Sequence, residues 1–214
     1  RLAKRAVRGS ATANWDMTLP PGMALPGLSL QGNRQRTFYQ GIREEKTKKL
    51  APRASTERNL KAIREAVCET FGKYVSDADI WASVNAKDFL PRPAQFLWKS
   101  VHNAHKIGSY WTHISKCEER ATCWDCEELE DLDHILVQCK SSGRALIWTA
   151  ARTLWQERAT TWPDVSLGTI LGCGLAEFRD GSGKLDQGTR RLYRILMSES
   201  AYLIWRLRNE HVID

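Results

Sequence analysis

Apolar residues recur at helical spacing along most of this chain, and the strict alternation typical of β-strands is nearly absent. The clearest pattern steps by three and four positions, through Leu60, Ile63, Val67 and Phe71. A Ser55-Thr56 pair precedes it as a helix cap, and Gly72 follows it as a stop. We therefore predict a helix between these two signals.

Three further segments in the first half of the chain are predicted to be helical. Arg34 to Leu50 has a narrow apolar face and many charged residues. Ser76, with Asp79 three positions later, resembles a capping box and predicts a short helix through Val84. Pro91 and Pro93 open a strongly apolar segment that we expect to remain helical until Gly108.

The second half predicts two core helices and a connector between them. The first, Ala145 to Arg158, carries one broad apolar stripe: Leu146, Ile147, Trp148, Ala151, Leu154 and Trp155. After Trp162-Pro163, five glycines between residues 168 and 183 predict a loop-rich connector. The longest helix runs from about Gln187 to Val212. Its main apolar line is Leu192, Ile195, Leu196, Leu203 and Leu207, and Tyr193, Met197 and Ile204 lie beside it.

A cluster of potential metal ligands lies between the two halves. Its members are Cys123, Cys126, His134 and Cys139. Three thiolates and one imidazole make a complete tetrahedral shell for Zn²⁺, and a closed shell indicates a structural site. The alternatives are four unligated residues, or a redox dithiol formed by Cys123 and Cys126, which would not need the other two. Cys117 is a possible substitute ligand, and we place the zinc knuckle at residues 117–140.

The fold class predicted from these elements is mainly α. We expect a helical domain with a small CCHC zinc knuckle between two core helices, preceded by an irregular basic linker. Residues 9–33 are assigned to the linker because they contain few charges, several Pro and Gly residues and no sustained period.

Positive charge is concentrated near the N-terminus. Residues 1–53 contain eleven Lys and Arg against three Asp and Glu, a net charge of +8. The whole chain carries +7, so the remaining residues are close to neutral. Such a segment favours sequence-independent binding of RNA or DNA; a solvated basic tail without a ligand is the alternative. The predicted contacts are Arg34, Arg36, Arg43, Lys46, Lys48, Lys49 and Arg53.

The knuckle itself has the opposite charge. Residues 123–140 contain six acids and one lysine, a net charge of −5, which would repel phosphates. We therefore expect Trp124 to pack over the metal loop instead of stacking on a base.

Length and composition limit the class of protein. A chain of 214 residues, 42% hydrophobic and with nine tryptophans, can form one or two globular domains. No stretch approaches the roughly 20 apolar residues that a membrane span needs. Six cysteines are too few for a disulfide scaffold, so we expect a soluble intracellular protein, cytoplasmic or nuclear.

The order of several motifs resembles a known family. Phe96-Leu97-Trp98-Lys99, the cysteine pair, Asp133-His134-Ile135-Leu136 with Cys139, and Ile147-Trp148 are similar to the zinc-binding domain that follows reverse transcriptase in non-LTR retrotransposons. Two later blocks, Arg191 to Ile195 and Leu203 to Trp205, resemble the tail of fungal members. Arg1-Leu2-Ala3-Lys4 resembles the end of a type-1 ribonuclease H domain.

The resemblance implies a piece of a mobile-element polyprotein. Residues 1–8 would be the end of a truncated ribonuclease H-like domain, and residues 34–214 the helical zinc-binding domain. The chain itself is expected to be non-catalytic, since the carboxylates of ribonuclease H would lie outside it. The implied partners are RNA or DNA and the reverse transcriptase and ribonuclease H domains of the same polyprotein, with no membrane. The alternative function is an architectural module that packs on those domains without contacting nucleic acid.

Overall fold

The protein is mainly α-helical. The computed structural model describes residues 35–47, 50–51, 53–140, 142–159 and 161–213. Its α-helices are α1 Gln35–Thr47, α2 Ala54–Phe71, α3 Asp77–Ser83, α4 Pro91–Val101, α5 Ser142–Gln156, α6 Leu167–Leu171 and α7 Gln187–Ile213. Within these ranges there is no β-strand, only isolated bridges at Thr122–Leu129 and Arg179–Leu185.

The chain divides into two compact units, Arg1–Pro52 and Arg53–Asp214. Helix α1 belongs to the first unit and all later helices to the second. The predicted end of a ribonuclease H-like domain at 1–8 and the predicted linker at 9–33 lie outside the described residues. Residue 34, where the predicted helical domain begins, also lies outside them. The predicted domain boundaries at residues 8, 33 and 34 therefore stay predictions.

The ends of α2 and α3 follow from local backbone chemistry. Helix α2 begins one residue after Arg53, so the Ser55-Thr56 pair lies inside its first turn and the predicted cap is wrong. Its end is as expected, because Gly72 takes the left-handed conformation with φ 62°. At α3 the capping box is confirmed: Ser76 accepts from the Asp79 amide, and the Asp79 carboxylate accepts from the Ser76 amide.

Helix α4 ends at Val101, not at Gly108 as predicted. The stop is Asn103, which adopts φ 48°. Its amide donates to the Ser100 carbonyl at 3.0 Å, and the Ala104 amide donates to the Lys99 carbonyl at 2.9 Å. These two bonds form a Schellman motif, for which Asn is a common substitute for Gly. His105, expected on the helix, therefore lies beyond it.

The predicted connector at 168–183 is wrong for its first part, which is a core element. Residues 167–175 form α6 and a 3₁₀ turn at Cys173–Leu175, and most of this segment is buried. A Cβ on Gly168 would lie 2.6 Å from the Ala62 carbonyl oxygen of α2, and one on Gly174 would lie 2.5 Å from the Ser83 carbonyl oxygen. These glycines permit close backbone contact; they do not interrupt the structure.

Helix α7 is the central element of the second unit and contacts α4, α5 and α6. Its extent agrees with the prediction, but its buried face agrees only in part. The buried residues include Tyr193, Met197 and Ile204, which were expected beside the main apolar line. The others are Thr189, Arg194, Ser198 and Ala201. Leu203 and Leu207, expected in the core, are exposed. The buried line thus includes polar residues with specific partners: Arg194 donates to the Asp88 carboxylate and to the Gly174 carbonyl, and Ser198 donates to the Ile195 carbonyl. An apolar-only template cannot detect such positions.

Helix α5 also buries a narrower face than its apolar stripe predicts. Trp148, Ala151 and Trp155 are buried, whereas Leu146 is 71% and Leu154 51% exposed. Trp155 joins Phe71, Trp162, Phe178 and Tyr193 in an aromatic cluster with ring centroids 5.1–6.0 Å apart. Nowhere in the described ranges is a helix both long enough and apolar enough to cross a bilayer.

Candidate metal centre

Cys123 and Cys126 lie on a tight turn closed by backbone hydrogen bonds. The Cys123 amide donates to the Glu128 carbonyl, and the Glu127 amide donates to the Cys123 carbonyl, each at 2.8 Å. Glu127 has φ 57°, which reverses the chain directly after the second thiol. The bridge between Thr122 and Leu129 brackets this turn. Both thiols are therefore presented to one side.

His134 and Cys139 are placed by a π-helical turn, His134–Gln138. In an α-helix, with 3.6 residues per turn, side chains five positions apart diverge by about 140°. Here the Cys139 amide donates to the His134 carbonyl at 2.7 Å, the wider i to i+5 bond of a π turn. This widening brings the two ligand side chains closer to one face. The whole segment 132–138 is helical.

The four predicted ligand residues converge on one point. One potential ligand atom from each lies within 4.8 Å of all the others. Cys139 Sγ lies 3.7 Å from Cys123 Sγ and 3.7 Å from Cys126 Sγ, far outside the roughly 2.05 Å of a disulfide. Three of the residues are buried and Cys126 is half-buried. The cluster could hold a metal ion.

The His134 ring supplies an independent sign of a missing partner. It is buried, and neither Nδ1 nor Nε2 makes a hydrogen bond, whereas buried polar atoms normally do. Nδ1 lies 3.3 Å from the Glu128 carboxylate, although without hydrogen-bond geometry. A metal at one nitrogen and Glu128 at the other is the usual arrangement of a ligating histidine.

The Cys123 thiol is a poor anion without a cation. Burial, with a smaller contribution from the neighbouring Cys139, raises the pKa of the Cys123 thiol to about 11. A bound divalent ion would reverse this by deprotonating the thiol outright. The site therefore favours a cation that prefers sulfur.

Helix α5 holds the second ligand pair in place. The Trp148 indole N–H donates to the Leu136 carbonyl at 2.8 Å in a buried bond, and Arg144 Nε donates to the Cys139 carbonyl at 2.5 Å. The Lys140 amide donates to Cys126 Sγ at 3.4 Å. The sequence predicted the ligands but not these supporting groups. Only Trp148 had a signal, as an apolar position of the stripe on α5.

Helix α7 is attached to the same knuckle by a buried ion pair. Both oxygens of the Glu130 carboxylate accept hydrogen bonds from the Arg208 guanidinium, with Nε to Oε1 at 3.1 Å. The backbone of Glu130 also packs against Gly108, where an added Cβ would collide with the Glu130 carbonyl oxygen. Glu130 and Arg208 are far apart in sequence, so no local pattern predicts this pair.

Trp124 does not pack over the metal loop as expected. It is 59% exposed, and its ring lies 4.2 Å from that of His211 on α7. It forms one wall of an open cleft of about 480 Å³ beside the metal cluster. Ile147, Ile204 and Leu207 form the apolar part of that cleft.

The remaining cysteines and histidines do not join the centre. Cys117, the candidate substitute ligand, is half-buried and is not part of the cluster. Cys173 is buried, as expected for a small core residue, while Cys68 is half-buried. The cluster above is the one group of three or more potential metal ligands found among the described residues.

The predicted nucleic-acid contacts are only partly described. Arg36, Arg43 and Lys46 are exposed on α1, and Arg53 is exposed before α2. Arg34, Lys48 and Lys49 lie outside the described residues. A comparison of the chain with models of protein families, with curated proteins and with solved structures finds no match.

Proposed function

We propose that the metal centre binds one structural Zn²⁺ through Cys123, Cys126, His134 and Cys139. Three soft sulfurs and one imidazole nitrogen are the donors that this ion selects in proteins. Sulfurs held about 2.3 Å from a tetrahedral ion are about 3.8 Å apart. The two Sγ separations of 3.7 Å support this proposal. Because four protein ligands complete the shell, the ion would stabilise the fold and leave no position for substrate.

We further propose that the chain is a non-catalytic domain of a retrotransposon reverse transcriptase and ribonuclease H polyprotein. The support is the motif order around the metal ligands, which resembles the zinc-binding domain of that family. Its structural support is the convergence of the four ligands, which a metal-binding domain of this kind requires. On this proposal the domain serves the reverse transcriptase and ribonuclease H domains of the same polyprotein.

In this function the domain would hold template RNA or target DNA through its basic N-terminal segment. The exposed cations on α1 support a phosphate-binding role. The acidic surroundings of the knuckle argue against contact there, since a zinc centre with three thiolates adds a further charge of −1. Binding would be sequence-independent and would weaken as salt is added.

Metal analysis with a chelator melt tests the zinc part. We expect one zinc per chain and a lower unfolding midpoint after chelation. Cys126→Ala should abolish zinc binding and unfold at that lower midpoint already without chelator. Cys117→Ala, another half-buried cysteine but outside the cluster, is the matched control and should retain both zinc and midpoint. Zinc-free protein with an unchanged melt would reject the proposal.

Charge reversal tests the nucleic-acid part. Replacing Arg43, Lys46, Lys48 and Lys49 together by glutamate should strongly weaken binding of RNA and DNA and flatten its salt dependence. Binding that is unchanged would reject a role for this segment.

A second candidate function is a protein-interaction module that packs on the preceding polymerase or ribonuclease domain. The exposure of Leu146 and Leu154 on α5 favours it, since both are large apolar side chains on a folded helix. Absence of nucleic-acid binding, or binding that salt does not affect, would favour this alternative.

A further inference from the structure

A second groove lies between α4 and α7. Its volume is about 380 Å³, and its lining combines cationic, amide and aromatic side chains. The described residues that line it include none that is acidic. The groove therefore differs from the cleft beside the metal knuckle, whose lining includes Asp125 and Glu130.

The α4 wall is polar and cationic. Arg92, Gln95 and Lys99 follow one another at i, i+3 and i+7, so they share one face of the helix, and all three are exposed. The two cations are about 10.5 Å apart along the helix axis. In the part of the chain that the structure describes, neither has a carboxylate partner.

The α7 wall repeats this spacing with two aromatic residues and one amide. Tyr202, Trp205 and Asn209 also follow at i, i+3 and i+7, and all three are half-buried. The rings are fixed from below, because the buried Phe96 lies 6.0 Å from Tyr202 and 5.8 Å from Trp205 between ring centroids. His105 packs against Trp205 at 4.3 Å, and the Arg208 guanidinium lies over the Trp205 ring, 5.8 Å from its centre. The aromatic wall is thus preorganised.

A row of unpaired cations facing a row of fixed aromatic rings suits one class of ligand. Phosphates would lie along α4, and an unpaired base could stack on Tyr202. A duplex could not place its stacked bases against half-buried rings, so the groove favours a single strand. An acidic peptide would use the cations but leave the aromatic wall without a role.

We propose that the groove between α4 and α7 binds single-stranded RNA or DNA. Arg92 and Lys99 contact phosphates, Tyr202 stacks on a base, and Trp205 forms the adjoining part of the wall. This inference rests on the proposed nucleic-acid function and adds a binding surface on the helical body, distinct from the basic N-terminal segment.

The test uses fluorescence anisotropy of the zinc-loaded chain with a labelled oligouridylate and a labelled oligothymidylate. Arg92→Gln with Lys99→Gln should weaken binding about tenfold and reduce the slope of log affinity against log salt by about 1.4, the contribution of two phosphate contacts on a single strand. The matched control is Lys87→Gln with Arg152→Gln, which removes two exposed cations outside the groove. It should change neither quantity.

Stacking has its own readout. An abasic oligomer of equal length should bind the wild-type chain about tenfold more weakly than oligouridylate, and Tyr202→Leu should reduce this difference. Tyr74→Leu, at an exposed tyrosine outside the groove, should retain it. Similar affinities for oligouridylate and oligothymidylate support a site that reads phosphate and base faces. A strong preference for oligouridylate with unchanged salt slope in the double variant would overturn the assignment of phosphates to α4.

The outcomes separate this inference from the proposed function. If the wild-type chain binds no nucleic acid, both fail. If it binds, and the charge reversal on the N-terminal segment weakens binding while Arg92→Gln with Lys99→Gln does not, the proposed function stands and the groove is rejected. Equal binding of the abasic oligomer also rejects it. Because Arg92 and Lys99 are exposed, unchanged unfolding midpoints will show that the double variant is folded.

Discussion

At the scale of single residues, two buried ion pairs tie α7 to distant parts of the chain. Arg208 pairs with Glu130 in the metal knuckle, and Arg194 pairs with Asp88 at 3.0 Å. All four side chains are at most 10% exposed. A buried pair is weak evidence for net stability, because desolvation opposes the attraction, but loss of one member leaves a buried charge without compensation. These pairs therefore act chiefly to fix the position of α7 relative to Glu130 and Asp88.

Arg208→Met should consequently be costly. We expect the free energy of unfolding to fall by about 3 to 5 kcal/mol, because Glu130 would remain buried and unpaired. Arg206→Met, two positions earlier, removes an exposed arginine that pairs with Glu210 at half-exposed side chains, and should cost no more than about 0.5 kcal/mol. Urea unfolding of the two variants measures both. An equal loss of unfolding free energy in the two variants would contradict a special role of the Arg208–Glu130 pair.

His105 makes stability depend on pH. Burial lowers the pKa of His105 to about 4, whereas an unfolded histidine has a pKa of about 6.5. Between these values the unfolded chain takes up a proton that the folded protein does not. The free energy of unfolding should therefore fall as pH decreases from about 6.5 to about 4, by about 2 kcal/mol after allowance for partial exposure.

His105→Gln should remove this contribution. The decisive measurement is the difference in unfolding free energy between wild type and variant at several pH values, since protonation of the metal ligands affects both proteins alike. If this difference did not vary with pH, His105 would not be the group responsible for the pH dependence.

At the scale of elements, the sequence predicts what is encoded locally. The capping box at Ser76 and the left-handed Gly72 sit within a few residues of the helices that they bound. The metal ligands form two short-range pairs. Where the prediction failed, the cause was a distant partner: α6 needs the backbone of α2, and the exposure of Leu146 depends on which face of α5 meets α7. Two other failures have local causes. The stop signal at Asn103 is less specific than Gly, and α2 begins before the predicted Ser55-Thr56 cap.

The contact between α2 and α6 did leave a trace in the sequence. Ala62 and Ala66 are four residues apart on α2, and Gly168 on α6 is four residues before Gly172, which caps that helix. Small residues at this spacing let two helices approach closely. Gly168 meets Ala62 and Ala66, and Gly172 meets Val67 and Ile63.

Gly168→Ala should therefore destabilise the protein. The added Cβ would lie 2.6 Å from a backbone oxygen that cannot move without shifting α2, and overpacking of this kind costs about 1 to 3 kcal/mol. Gly143→Ala is the matched change in α5, where no atom lies within 4 Å of the added Cβ. It should be neutral or stabilising by up to about 1 kcal/mol. Thermal melts of both variants decide, and a neutral Gly168→Ala would refute the close contact.

At the scale of the whole second unit, the two ends of α7 are held in place by different kinds of contact. Tyr193, near its start, belongs to the aromatic cluster with Trp155 and Phe178. Arg208 and His211, near its end, contact the knuckle. Tyr193 and Arg208 are separated by 15 residues, about 22 Å of helix. The first end is thus held by the aromatic cluster and the Arg194–Asp88 pair, and the second by contacts that depend on the geometry of the metal cluster.

Chelation should accordingly destabilise the knuckle and the C-terminal end of α7 before the rest of the second unit. We expect amide hydrogen exchange to accelerate first in residues 117–140 and in the last turns of α7. The amides of α2, α6 and the first turns of α7 should retain their protection, because their burial does not involve the cluster. Exchange measured by peptide mass spectrometry, with and without chelator, resolves these segments. Arg208→Met should produce part of the same pattern with zinc still bound, since it cuts the link between α7 and Glu130. Uniform acceleration along α7 would mean that the metal supports the whole core, and the division into two ends would be wrong.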